Sequence, residues 1–128
     1  MTTSSTPTAN HWVKTAAGVF TRNSKRSYTH VVVLTSTQTS VDVENAHSKK
    51  RLADTRSGKE GWVGEAKEQA IRRFEREITN REPGQQRVLS WHQGAKAGQN
   101  AKARAQKGWT AKYTVSLLPL VDGTLDLT

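Results

Sequence analysis

The chain has 128 residues, no cysteine and a formal charge of +9, from 20 Lys/Arg against 11 Asp/Glu. That length suits one domain with a modest core, and an apolar share of only 34% makes the core thin. A disulfide framework, a thiol nucleophile and a Cys-ligated zinc site are excluded, as is a helix through a bilayer, because the longest apolar run is Val31-Val32-Val33-Leu34.

Residues 1–10 are Thr/Ser-rich and carry no charged side chain. They read as a disordered tail and lack the basic and apolar regions of a signal peptide, so a soluble, cytoplasmic protein is expected. Trp12 and Val13 are the first apolar anchors. Residues 18–22 suit a short strand, and 28–35 a stronger one, rich in β-branched residues and apolar on both faces. A basic hairpin is expected to join these two strands, with Arg22, Lys25 and Arg26 at or near its turn. Val41-Asp42-Val43-Glu44 alternates and suits an edge strand, followed by a polar link over 45–56.

The spacing predicts a helix over 58–80. Ser57 and Glu60 have the separation of a capping box, and Val63, Ala66, Ala70, Ile71, Phe74 and Ile78 fall on one face. Glu68 with Arg72, and Arg73 with Glu77, are i,i+4 pairs. The sequence Glu82-Pro83-Gly84-Gln85 reads as a turn. A strand is expected over 87–92 and a helix over 94–106, with an apolar stripe of Ala97, Ala101 and Ala105. Residues 109–117 alternate as a strand, with Trp109, Ala111, Tyr113, Val115 and Leu117 inward. The order β-β-(β)-α-β-α-β implies an α+β fold, a two-layer sandwich with two helices on one face of a four- or five-stranded sheet. The expected organisation is a tail over 1–10, one domain over 11–119 and a loose C-terminus over 120–128.

Charge is unevenly placed along the chain. No acidic side chain occurs between Pro83 and Val121, where Arg87, Lys96, Lys102, Arg104, Lys107 and Lys112 lie. A segregated positive field attracts polyanions, so nucleic acid, DNA ahead of RNA, is the first partner to consider. Lys96, Asn100, Arg104 and Lys107 share a helix face apart from the alanine stripe. With Lys102 and Lys112 they form the leading candidate for phosphate contacts. A solubilising surface helix is the plain alternative, but such a helix usually mixes signs. Arg22, Lys25 and Arg26 form a second candidate, since basic arms often hold phosphates. Trp91, Trp109 and Tyr113 lie in or beside the basic strands and would stack on bases if exposed.

Enzymatic signals are weak. His11, His30, His47 and His92 share no short ligand spacing. Asp42, Glu44 and Asp54 precede Glu65-Ala66-Lys67, a superficial match to a metal-dependent nuclease core, but that core wants the last motif on a strand and here it falls on the predicted helix. No phosphate-binding Gly-rich loop and no catalytic serine elbow is present. The expectation is a non-enzymatic protein without cofactor or metal. The alternative is a protein-binding module that offers the same basic face to an acidic protein, with Trp91 or Trp109 as anchor.

The stretch over 18–33, Gly-Val-Phe-Thr-Arg-Asn-Ser-Lys-Arg-Ser-Tyr-Thr-His-Val-Val-Val, resembles openings of small accessory proteins of actinobacterial phages and mobile elements. The resemblance covers about an eighth of the chain. It implies a phage or plasmid setting, as an accessory factor, a modulator of a host protein or a virion component, and transfers no functional residue.

Overall fold

The computed structural model describes residues 8–127. Along the chain the elements are β1 (Thr8–Ala9), β2 (His11–Thr15), β3 (Gly18–Arg22), β4 (His30–Thr35), α1 (Gln38–Arg56), α2 (Gly64–Asn80), β5 (Gln86–His92), α3 (Ala95–Ala105), β6 (Thr114–Pro119) and β7 (Leu125–Asp126). A 3-10 turn, Trp109–Lys112, lies between α3 and β6. The class is α+β. The chain divides into two compact units: a sheet unit, up to Thr35 and again from Gln86, and a helical unit, Ser36–Gln85.

In the sheet unit β4 is central, and β5 and β6 both pair antiparallel to it. Its Val-Val-Val-Leu run is apolar on both sides because both sides are covered, and Val31 to Leu34 are at most 1% exposed. Val32 and Leu34 pack with Val115 under Ala101 and Ala105 of α3. Val31 and Val33 pack with Val13 of β2, with Phe20, Val88, Trp91, Leu118 and Leu120 around them. The sheet therefore has three strands rather than the four or five expected, with one helix on one face and a β-hairpin on the other.

That hairpin is not the one the sequence suggested. The strand at 18–22 pairs with β2, Val13 opposite Phe20, and not with β4. Its turn is Ala16-Ala17, which carries no turn signature, and Thr15 Oγ1 accepts the Ala17 N–H at 3.2 Å to close it. Arg22, Lys25 and Arg26 therefore lie at and beyond the far end of β3, leading towards β4, rather than at a hairpin tip. The chain there is tied to the N-terminal residues: Asn23 Oδ1 accepts the Asn10 N–H at 2.9 Å, and Asn23 Nδ2 donates to the Thr8 carbonyl at 2.8 Å. Ala9 is 1% exposed, and β1 pairs with β7. Thus residues 8–10 and 125–126 belong to the folded unit, not to tails; the rest of the expected N-terminal tail lies outside the described residues.

The helix over the sheet is seated by Gly98. An added Cβ there would lie 2.6 Å from Leu117 Cδ1 and 3.4 Å from His30 Cβ. The buried stripe is accordingly Gly98, Ala101 and Ala105, and Ala97, expected in it, is exposed. We expect Gly98→Ala to be close to neutral, because a leucine methyl can rotate away and alanine gains about 0.5–1 kcal/mol of helix propensity. Gly98→Leu should lift the helix and cost roughly 1–3 kcal/mol. Thermal denaturation of the two variants checks this, and equal melting temperatures would show that the approach is not tight.

The strand expected over 109–117 begins only at Thr114. Thr110 is 3% exposed and its Oγ1 donates to the Ala105 carbonyl at 2.5 Å, which curls 109–112 into the 3-10 turn at the end of α3. Trp109 and Ala111 thus point outward, whereas Val115 and Leu117 face the core as expected.

The helical unit replaces the expected edge strand at 41–44 and the polar link at 45–56 with α1. Its start is a capping box: Thr37 Oγ1 accepts the Ser40 N–H at 3.1 Å and Ser40 Oγ accepts the Thr37 N–H at 2.8 Å. The buried positions of α1 include Val41, Ser48, Leu52 and Thr55. With Ser40, which is also buried, three of these five positions are hydroxyl residues, so no apolar period marks the seam. Ser57 caps the C-terminus of α1 instead of opening the next helix. Gly58 and Gly61 have φ of +82° and +77°, which breaks helical conformation, and α2 starts at Gly64.

Helix α2 packs on α1, with Phe74 buried and Ala70, Ile71 and Ile78 half-buried. The expected pairs Arg72–Glu68 and Arg73–Glu77 form at 3.4 and 3.2 Å. Arg81 joins the helices, reaching Glu44 at 3.3 Å, Glu77 at 3.5 Å and Ser48 Oγ at 2.7 Å. Among the described residues no helix is long and apolar enough to cross a membrane.

Candidate nucleic-acid interface

The uneven charge of the sequence becomes a division between the two units. The sheet unit holds ten Lys/Arg against two acids, Asp122 and Asp126, a net charge of +8. The helical unit holds ten against nine, a net charge of +1. In the helical unit cations are used within the fold, as in Arg56–Glu75 at 2.5 Å and the Arg81 pairs. In the sheet unit the acids available to neutralise cations are few, so a positive field persists outside it.

Five of the ten cations of this unit, Lys96, Lys102, Arg104, Lys107 and Lys112, lie on α3 or within a few residues after it. With Gly98, Ala101 and Ala105 turned to the sheet, 3.6-residue periodicity puts Lys96 and Asn100 on the outward face. Arg104 lies on one flank of the helix and Lys107 just beyond its C-terminal cap; all four are exposed. Lys102 falls on the opposite flank and is half-buried, so it does not share a surface with Arg104. Lys112 is exposed on the 3-10 turn that follows. Two cations at the carbonyl end of α3 also suit the negative end of the helix dipole.

The second basic group is separate. Arg22 belongs to the hairpin layer, on the sheet face opposite α3, and its guanidinium lies 4.9 Å from the centre of the Tyr28 ring. Tyr28 in turn meets His11 edge-on at 5.4 Å and Trp91 at 6.3 Å. Lys25 and Arg26 are exposed in the segment after Arg22. The nine polar residues singled out by sequence therefore form two groups on different layers, not one face.

The three aromatic candidates also part company. Trp91 is half-buried against the Val13, Val31 and Val33 cluster and serves packing. Trp109 is 70% exposed. Tyr113 is half-buried beside it, with ring centres 6.4 Å apart and planes at 85°. Sequence reasoning missed the third member of this cluster. The Arg87 guanidinium lies 5.5 Å from the Trp109 ring centre and 5.2 Å from that of Tyr113, and Nη2 donates to the Tyr113 hydroxyl at 3.3 Å. Arg87 stands opposite Leu34, and Leu34 opposite Val115, so β4 carries the arginine and the aromatic end of β6 on either side of itself. No local pattern near residue 87 reveals that meeting.

His30 and His92 face each other across the sheet, as paired residues of β4 and β5. The His92 imidazole is held below its ordinary pKa of 6.5, by burial first, then by the Arg104 charge and by His30. A lowered folded-state value means the unfolded chain takes up this proton more readily. The stabilisation is therefore complete above the ordinary value and is lost as pH falls from it through the folded value. We expect a lower melting temperature at about pH 5.5 than at about pH 7.5, and a smaller difference in His92→Gln. An unchanged pH response in that variant would assign the effect elsewhere.

Asp42 and Glu44 lie on α1, and Glu65 and Lys67 on α2, so the acids that mimicked a nuclease core are helical throughout. No group of three or more His, Asp or Glu side chains suited to a metal ion occurs among the described residues. The fold and surface define a small α+β protein with a strongly basic sheet unit and a near-neutral helical unit that follows β4 and precedes β5 in the chain. No protein-family model, curated protein or solved structure matches the chain.

Proposed function

We propose that this protein binds nucleic acid, without catalysis, through the outer surface of α3 and the turn that follows it. Lys96, Asn100, Arg104, Lys107 and Lys112 would contact phosphates, with Lys102 at the margin and Arg22, Lys25 and Arg26 as a second, separate contact region. The observation that carries this reading is the +8 charge of the sheet unit beside a helical unit whose cations and anions nearly balance. Phosphate neutralisation at such a surface is weakly selective for sequence. The phage or mobile-element setting and a cytoplasmic location belong to the same proposal.

The test is fluorescence anisotropy with labelled DNA and RNA across a salt series. We expect micromolar or tighter binding at low salt. If about four to six phosphates of a duplex are neutralised, log K should fall against log salt with a slope of roughly −4 to −5. Absence of binding at low salt would remove the proposal.

The second reading is a protein-binding module that docks on an acidic partner, such as a host factor or a virion component. The exposure of Trp109 beside Arg87 favours it, since tryptophan and arginine dominate interface anchors. A pull-down that survives nuclease and yields one acidic protein would select it.

A further inference from the structure

We infer that Arg87, Trp109 and Tyr113 form a seat on which an unpaired nucleobase stacks, so that the ligand of the basic surface is single-stranded nucleic acid rather than duplex. The inference rests on the nucleic-acid reading above and narrows it. An indole that is 70% exposed contributes little to a core, yet here it is held in place. Tyr113 meets it edge to face, which props the ring without stacking over it. Arg87 donates to the Tyr113 hydroxyl and its guanidinium lies over both rings, so that a base would use the face of the indole that the arginine leaves open, or the guanidinium plane itself. Bases stack on both kinds of plane.

The neighbouring cations suit the backbone of the same strand. Trp109 and Lys112 are three residues apart on a 3-10 turn, where side chains at that spacing eclipse one another. Lys107 lies two residues before Trp109. A base seated on the indole would thus have its flanking phosphates beside lysines. In a duplex the bases are already stacked, and offering one to the indole would require extruding it. A single strand presents its bases without that cost. Trp91, the other tryptophan of the basic region, is packed against the core and offers no such surface.

The test compares an oligothymidylate of about 20 nucleotides with a duplex of equal length, at one salt concentration, using the full chain. We expect the wild type to bind the single strand more tightly. Trp109→Ala should weaken single-strand binding by about 5- to 150-fold, the range of one lost base–aromatic stack, and alter duplex binding far less. Trp109→Phe, which keeps an aromatic plane, should recover most of the loss. Circular dichroism confirms that the variants are folded. Wild-type affinity for the single strand in folded Trp109→Ala, an equal loss on both ligands, or preference for duplex would overturn the inference. If Lys96, Arg104 and Lys107 prove necessary for binding while Trp109 does not, the stacking seat fails and the proposed function stands. If the wild type binds neither ligand at low salt, both fail.

Discussion

Replacing Lys96, Arg104 and Lys107 together with glutamate should abolish nucleic-acid binding while leaving the protein folded. The three side chains are exposed on or just after α3. Their reversal takes the sheet unit from +8 to +2 and changes the sign of charge along α3 and just after it. Three lost charge-assisted contacts at about 1.5 kcal/mol or more each amount to more than roughly a thousandfold in affinity. The cost to the fold is small. Glutamate is a good helix former, and placing acids near the carbonyl end of α3 costs about 0.3–1 kcal/mol each. A reversal of equal size in the helical unit, at Lys49, Lys50 and Arg76, provides the control and should weaken binding far less. Anisotropy on both variants, with circular dichroism to verify folding, decides the matter. Unchanged affinity in the α3 variant would remove that surface from the site.

The second large effect is on stability. Leu34→Ala should cost about 2–5 kcal/mol, because the side chain is 1% exposed and surrounded by Val32, Ala101, Ala105 and Val115. Few large side chains share this core. Among the described residues on the α3 side only Leu34 is a fully buried leucine, and the helix contributes alanines that cannot expand into a cavity. A domain of this size has about 5–15 kcal/mol in total, so the variant should lose a large fraction and melt roughly 10 °C or more lower. The proposed nucleic-acid binding should persist at low temperature, since Leu34 is not on the surface. A melting temperature within a degree or two of wild type would mean that the sheet and α3 are not held by this cluster.

Much of the sheet unit was legible. A β-branched run apolar on both faces must be covered on both faces, and β4 is. A short strand, an Ala-rich helix and a second strand follow one another as β5, α3 and β6. The i,i+4 ion pairs of α2 formed because such pairs depend only on local helical spacing. Legibility failed where polarity masked structure. The buried seam of α1 contains Ser48 and Thr55, whose hydroxyls are satisfied by Arg81 and by the Arg51 carbonyl, so a helix looked like a link. It failed again at 109–113, where alternation mimicked a strand, and one hydrogen bond from Thr110 to the end of α3 set a turn instead. It also failed at the β2–β3 turn, where two alanines stand in place of turn residues.

The candidate site divides along the same line. Sequence alone determined the excess of cations, the stretch free of acids and the helix that carries Lys96, Asn100 and Arg104, because charge and 3.6-residue periodicity are local properties. Only the tertiary structure decided which charges share a surface. It put Arg22 on the opposite sheet face from α3, turned Trp91 into the core and Trp109 outward, and brought Arg87 to Tyr113 from across β4. Those choices follow from strand pairing and from which face of the sheet each neighbour covers. They are set by contacts between residues distant in the chain, and no window of sequence contains them.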